Sequence, residues 1–132
     1  MGQRAVKSYR IKTLRSPPGY HLPYDVYMKK TIAVFMQPGP NWDYSKGVRE
    51  QAYWNEHARF IDNLFARGVV LMAGPLAPEG TGALVILNAE TPEDAHAIHA
   101  KDPWKDKGIL QVADAREWTI FLDAHDTSIA GA

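Results

Sequence analysis

His57 has the strongest claim to chemistry in this sequence, because the residues around it predict a ring that points inward. Residues 48–67 carry apolar side chains at helical spacing, and His57 falls in the middle of their arc while polar residues occupy the opposite side. The arc consists of Tyr53, Trp54, Phe60, Ile61 and Leu64. A buried imidazole needs a hydrogen-bond partner, so His57 is either a satisfied core histidine or an acid/base group beside a pocket.

Asp102 is the carboxylate predicted to accompany His57. It follows a second predicted helix, over about residues 91–101, and we place it at the inner end of that helix. If the two helices lie side by side, a hydrogen bond from one imidazole N–H to the Asp102 carboxylate would set the tautomer and leave the other nitrogen free as a base. An aspartate before proline is also a common turn former, so the pairing is a hypothesis about geometry.

An aromatic pocket is predicted beside this pair. Trp54 precedes His57 by one helical turn, and Trp104 lies next to Asp102. A Gly-Pro pair after the second strand could bring the backbone close to a ligand, although such pairs are often plain turns and tryptophans are often core. The predicted binding residues are Trp54, Ile61, Gly74, Pro75, Pro103 and Trp104.

Other common chemistries find little support in the sequence. His96 and His99 are three residues apart on the second predicted helix, a spacing that can hold a metal, but a third ligand is missing from the pattern. The sequence also contains no Walker loop, dinucleotide fingerprint or G-x-S-x-G elbow. We therefore predict no metal and no cofactor.

Composition limits the partners that the chain can have. Its 132 residues suit one domain, and 15 Lys and Arg balance 15 Asp and Glu, which leaves no net field to attract nucleic acid or an anionic membrane. No segment approaches the roughly 20 apolar residues that cross a bilayer. The absence of cysteine is compatible with a reducing cytoplasm and with a disulfide-free secreted protein. We expect a cytoplasmic protein with neither nucleic-acid nor membrane partners.

The order of predicted elements is β-α-β-β-α-β, which is typical of an α+β ferredoxin-like domain with an antiparallel four-stranded sheet and two helices on one face. The predicted strands cover residues 31–36, 69–73, 83–87 and 110–122, the last with a bulge where the apolar phase changes. Because these strands are apolar on both faces, we expect a second copy of the chain to cover the open face as a twofold dimer.

Domain boundaries follow from the same pattern. Residues 1–27 lack helical or strand periodicity and are predicted to be a poorly ordered N-terminal extension. The domain is predicted to cover residues 28–125, followed by a tail over residues 126–132. Met28 opens the first well-patterned element, so truncation before Met28 should leave folding intact.

The combined motifs resemble the YciI-like (YCII-related) domain family. The resemblance rests on His57 in a helix that ends at Gly68 and on three later motifs, and it covers about residues 29–122. These motifs are Leu71-Met-Ala-Gly-Pro-Leu76, Thr91-Pro-Glu-Asp-Ala95 and Asp102-Pro-Trp104. The resemblance implies a dimeric ferredoxin-like α/β barrel whose active site is a His–Asp pair, carried here onto His57 and Asp102.

The resemblance also implies a class of chemistry. One related branch removes chloride from a chlorinated hydroxyquinol, and the neighbouring muconolactone isomerases share the fold. We therefore expect a cofactor-independent lyase or isomerase that uses the His–Asp pair as acid and base. Many members carry a basic residue one turn before the histidine, where this chain has Trp54, which favours an aromatic or apolar substrate over an anionic one. A non-catalytic ligand-binding module and a purely structural dimer are the alternatives.

Overall fold

The computed structural model describes residues 30–77 and 81–125. The predicted extension over residues 1–27, the start at Met28 and the tail over residues 126–132 lie outside the described residues. Lys30–Trp118 form one compact unit, whereas residues 119–125 fall in a separate unit, where the His125 backbone N–H donates to Asp123 at 2.9 Å. The compact unit contains all the elements described below.

A four-stranded antiparallel sheet forms the centre of this unit. Its strands have the spatial order β2-β3-β1-β4, which is the arrangement of a ferredoxin-like domain. The strands are β1 (Lys30–Pro38), β2 (Val70–Leu76), β3 (Gly82–Ala89) and β4 (Leu110–Glu117). The β-branched and apolar runs of the sequence favour a pleated, half-buried surface, which explains why they form these strands.

In the described part of the chain, three α-helices accompany the sheet: α1 (Trp54–Ala66), α2 (Pro92–His99) and the single-turn α3 (Pro103–Asp106). The start of α2 agrees with the sequence, since the Thr91 hydroxyl accepts from the Asp94 N–H at 3.1 Å and the Asp94 carboxylate accepts from the Thr91 N–H at 3.3 Å. Within the described residues, none of these helices is long and apolar enough to cross a membrane.

The core lies between the helices and one face of the sheet. Along β1, Ile32, Val34 and Met36 are buried while Phe35 is exposed, as the two-residue period of a strand requires. Leu64 of α1 and Trp104 of α3 belong to the same apolar cluster as the inner side chains of the strands. The predicted α+β ferredoxin-like arrangement, with the helices on one face, is confirmed.

A close approach of two loops joins the end of β1 to the start of β4. The Gly39 N–H donates to the Ile109 carbonyl at 2.8 Å, and the Asn41 N–H donates to the Gly108 carbonyl at 2.7 Å. A Cβ atom on Gly39 would overlap the Gly108 carbonyl oxygen, so the approach requires glycine at this position. The contact fixes where the loop after β1 leaves the sheet on its way to α1.

The first helix begins later than the pattern predicted. Residue Tyr53 has a left-handed backbone with φ of 63° and is half exposed, so the predictions of a helix from Val48 and of Tyr53 on its inner arc are wrong. Upstream, the buried Gln51 side chain donates to the Asp43 and Lys46 carbonyls at 2.8 and 3.1 Å and imposes a compact loop. Only a 3-10 turn, Val48–Glu50, remains of the predicted first turns.

The end of α1 agrees with the sequence. Gly68 adopts φ of 78°, and its N–H donates to the Phe65 carbonyl at 3.0 Å. The Val69 N–H donates to the Leu64 carbonyl at 2.9 Å, which completes a Schellman cap. Glycine tolerates this left-handed conformation without strain, so the predicted helix stop at Gly68 is confirmed.

Two strand predictions need correction. Gly74 and Pro75 lie inside β2 and pair with β3, so the interpretation of a turn after the strand is wrong; β2 is an edge strand, where proline is tolerated. The last strand ends at Glu117 instead of residue 122. The predicted bulge in β4 is confirmed by a register shift between Phe35 and Met36 of β1.

Candidate active site

The structure brings His57 and Asp102 into direct contact. The Nδ1 atom of His57 lies 2.8 Å from Asp102 Oδ2 and 3.0 Å from Oδ1, and both residues are buried. Since an ionised carboxylate can only accept, Nδ1 carries the proton and donates it to Asp102. The other ring nitrogen, Nε2, is then the unprotonated one and can accept a proton.

Asp102 is positioned by α3, a helix that the sequence pattern did not predict. The carboxylate lies three residues beyond α2, not at its end, and it is the N-cap of α3, where Oδ1 accepts from the Trp104 N–H at 2.9 Å. Pro103 at the first helical position has no N–H to satisfy and starts the turn readily. The backbone of α3 therefore fixes the rotation of the carboxylate that faces His57.

Trp104 holds the imidazole plane. Its indole stacks on the His57 ring with centroids 3.9 Å apart and an angle of 5° between the planes. The indole N–H donates to the Ala52 carbonyl at 2.7 Å, so Trp104 is anchored to the segment that leads into α1. The stack and the hydrogen bond to Asp102 together leave His57 one orientation.

Two further tryptophans complete the aromatic surroundings. Trp54 lies with its ring centroid 5.7 Å from His57 and 5.6 Å from Trp104, in tilted arrangements. Trp42 meets Trp104 edge to face at 5.9 Å. Trp42 therefore belongs to the same aromatic cluster as Trp54 and Trp104.

A cavity of about 390 Å³ opens beside the cluster, between α1, the inner face of the sheet and α3. Its volume lies at the small end of the range for ligand sites, and most of its lining is apolar. Besides His57 and Asp102, the lining residues with charged or titratable side chains are Arg49, Asp62 and His99. A small, largely apolar molecule with few polar groups fits this lining.

Most of the binding residues predicted from the sequence line this cavity together with His57 and Asp102. They are Trp54, Ile61, Gly74, Pro75 and Trp104. Among the described residues, Pro103 does not line the cavity; it is the first residue of α3. Whether the lining residues bind a ligand stays a prediction.

Sequence reasoning missed His99 as a cavity residue. It is only 3% exposed, and neither ring nitrogen has a hydrogen-bond partner among the described residues. Burial lowers the pKa of His99 to about 4, with the nearby Asp102 opposing the shift and His57 and His96 adding to it. The sequence feature that could have revealed His99 is its spacing of four residues from Ala95, which places both residues on the inner side of α2.

The two histidines of α2 have different environments. His96 is exposed and His99 is buried, so they do not present a common ligand pair to solvent. Within residues 30–77 and 81–125, no three His, Cys, Asp or Glu side chains come together in a way that could hold a metal ion.

One comparison with known proteins gives a match. The profile of the YCII-related domain matches residues 32–119, which include β2, β3, β4, all of β1 but its first two residues, and both His57 and Asp102. The chain has no match among curated proteins.

Proposed function

The chain belongs to the YCII-related domain family, and on that premise we propose that it is a cofactor-independent lyase or isomerase acting on a small aromatic or cyclic substrate. The observation that carries the proposal is the buried hydrogen bond between His57 and Asp102 at 2.8 Å beside a largely apolar cavity. A structural histidine would be satisfied equally well by that bond, but it would not need an adjacent cavity of ligand size.

The proposed reaction begins with His57 as general base. Nε2 accepts a proton from a carbon of the substrate, and the buried Asp102 carboxylate stabilises the imidazolium that forms. In an isomerase, the imidazolium returns the proton to a different carbon of the same molecule. In a lyase acting on a saturated ring, the electron pair of the broken C–H bond forms a double bond and expels the leaving group, such as chloride, from the neighbouring carbon. On a chlorinated hydroxyquinol, Nε2 instead accepts a hydroxyl proton and the imidazolium protonates the ring carbon that bears chlorine; loss of a second hydroxyl proton then expels chloride and leaves a hydroxyquinone.

The substrate class follows from the cavity lining. Trp42, Trp54 and Trp104 present aromatic surface to the cavity, and a volume of about 390 Å³ suits a molecule with a single ring. Dehydrochlorination of a chlorinated hydroxyquinol and the isomerisation of muconolactone both need a base that accepts a proton, from a hydroxyl in the first and from carbon in the second, and an acid that returns a proton to carbon, so both are suitable test reactions.

A deuterium experiment tests the proposal. Wild-type protein, His57→Gln and His96→Gln are incubated with each test substrate in deuterated water, and product mass and chloride release are measured. We expect turnover or deuterium incorporation by wild type, a loss on the order of 100-fold or more in His57→Gln, and no change in the matched control at the exposed His96. Undiminished turnover in a folded His57→Gln protein would end the proposal. Binding without any change in mass would identify a non-catalytic binding module.

We also propose that the protein forms a homodimer, because the outer face of the sheet carries apolar side chains. The register places Phe35 opposite Leu84 on this face, and Met72 opposite Ile86. Phe35 and Met72 are 41% and 58% exposed, and the described helices all pack on the other side. Ile86 between them is only 4% exposed, but exposed large apolar side chains on an open sheet face are typical of an interface between subunits.

Light scattering tests the dimer. We expect wild-type protein to have twice the mass of one chain, which is 14.8 kDa. Phe35→Glu should shift toward the mass of a single chain, because the variant buries an unpaired charge in the interface. Tyr44→Glu is the control, since Tyr44 is 75% exposed in a loop away from the sheet. A monomeric wild type would refute the dimer. A cytoplasmic location is also proposed, and cell fractionation tests it.

A further inference from the structure

His99 is a buried polar side chain that the proposed reaction does not use. Neither of its ring nitrogens has a hydrogen-bond partner within the described part of the chain, although the residue is 97% covered. Leaving a buried donor and acceptor unpaired is unfavourable, so native proteins rarely do so without a ligand, a water or a function at that position.

The position of His99 points to the cavity. His99 lines the cavity that contains His57, and it also lines a second cavity of about 310 Å³ between α2, α3 and β4. Four residues are common to the two linings, and they form the partition between the cavities: Met36, His99, Asp102 and Leu110. Met36 and Leu110 offer no hydrogen bonds, and Asp102 is engaged by His57 and Trp104. His99 is thus the member of the partition whose polar atoms are buried without a hydrogen-bond partner in the described residues.

We propose that His99 binds a second polar group of the ligand, a neutral hydroxyl or carbonyl, while His57 faces the first. This inference deepens the proposed function and rests on the same cavity, but it concerns binding and not turnover. A neutral imidazole has one donor and one acceptor and therefore suits a hydroxyl or carbonyl. A carboxylate of the ligand would be disfavoured, because the ionised Asp102 shares the partition with His99.

The preferred ligand is then a ring with two polar substituents. A ring with one hydroxyl can satisfy only one of the two histidines, whereas a ring with two hydroxyls at suitable positions can satisfy both. One additional hydrogen bond of ordinary strength corresponds to roughly tenfold in affinity. Phenol and the three isomeric dihydroxybenzenes are simple probes of this difference.

The experiment measures probe affinity by calorimetry and the ring signals of His99 by NMR of protein labelled with ¹⁵N-histidine. The proteins are wild type, His99→Phe, which keeps a buried ring without nitrogens, and His99→Gln, which keeps a donor and an acceptor. His96→Gln is the matched control, because His96 is an exposed histidine on the same helix.

We expect at least one dihydroxybenzene to bind wild type roughly tenfold more tightly than phenol. That advantage should disappear in His99→Phe, persist in part in His99→Gln, and be unchanged in the control. The His99 ring signals of wild type should shift with the dihydroxybenzene and not with phenol. This last readout needs no variant, so it holds even if His99→Phe fails to fold.

Several results would overturn the inference. An advantage that survives in His99→Phe, or His99 ring signals that do not move when the dihydroxybenzene binds, would mean that the nitrogens are satisfied without the ligand. Absence of binding by every probe would overturn it together with the aromatic ligand class. The same comparison in a His57→Gln background separates the two proposals, because the His99-dependent affinity should persist there even if the protein turns out to catalyse nothing.

Discussion

Acidification should destabilise this protein through His99. Burial lowers the pKa of His99 from 6.5 to about 4 in the folded state, whereas the unfolded chain exposes an ordinary imidazole. Between these two values the unfolded state binds a proton that the folded state does not. Stability contributed by the neutral ring is therefore fully present above about pH 6.5 and is lost as the pH falls toward about 4.

The magnitude follows from the same two values. Each unit of pH within the window changes the free energy of unfolding by about 1.4 kcal/mol, so the whole window corresponds to about 3 kcal/mol. Between about pH 7 and about pH 5, the expected loss is about 2 kcal/mol. That loss is a sizeable fraction of the roughly 5–15 kcal/mol by which domains are stable.

Urea unfolding at both pH values and one protein concentration measures the effect. For each protein, the free energy of unfolding at the lower pH is subtracted from that at the higher pH. A destabilisation that a variant shows equally at both pH values therefore drops out of the comparison. His99→Gln should lose about 2 kcal/mol less than wild type on acidification. His96→Gln, which removes an exposed histidine of the same helix, should stay close to wild type with a slightly smaller loss, because the charge of His96 is the smallest of the causes that lower the pKa of His99. Equal losses in wild type and His99→Gln would refute the reasoning, as would an NMR titration in which the His99 ring of the folded protein protonates near pH 6.5.

Three further predictions concern the site and its supports. Asp102→Asn should lower kcat on any substrate of the wild type on the order of 100-fold while circular dichroism stays unchanged, because an amide no longer stabilises the imidazolium; a kcat within a factor of about two would contradict the role of Asp102. Gly39→Ala should cost roughly 1–3 kcal/mol in urea unfolding, since the added methyl overlaps the Gly108 carbonyl. Gly74→Ala is its matched control, with open space around the new methyl, and should change stability by about 0.5 kcal/mol or less; similar costs for the two would count against the packing argument. Thr91→Ala should cost about 1 kcal/mol by removing the cap of α2, and unchanged unfolding midpoints would show that the capping box contributes nothing.

The parts of the fold that the sequence predicted are those set by local chemistry. The strand over residues 31–36, the helix stop at Gly68 and the helix start at Thr91 each depend on a few neighbouring residues, and each appears where the pattern placed it. The inward orientation of His57 follows from helical periodicity, which is also local.

The parts that the sequence did not predict depend on contacts between distant segments. The late start of α1 results from Gln51 and the loop that it organises, a network that no periodicity reveals. The placement of Gly74 and Pro75 within a strand is allowed because β2 lies at the sheet edge, a property of the assembled sheet.

The candidate site was also predicted only in part. Asp102 was expected next to His57, yet the four-residue helix that holds it is too short to leave a periodic signal. His99 was considered only as one of two histidines at metal spacing, because the apolar pattern of α2 is weak and gives little indication of which side faces inward.

The Asp102 carboxylate contacts both the His57 ring and the backbone of α3, so the pair is held in place before any ligand binds. Because Oδ1 is already held by the backbone of α3, the acid cannot swing away when the cavity is vacant, and the entropy of aligning it with the imidazole is lost once, during folding. The pair is therefore preorganised, and the imidazole beside the cavity has a fixed direction before any molecule enters. Transplanting the pair into another scaffold would require transferring the four-residue helix along with its two side chains.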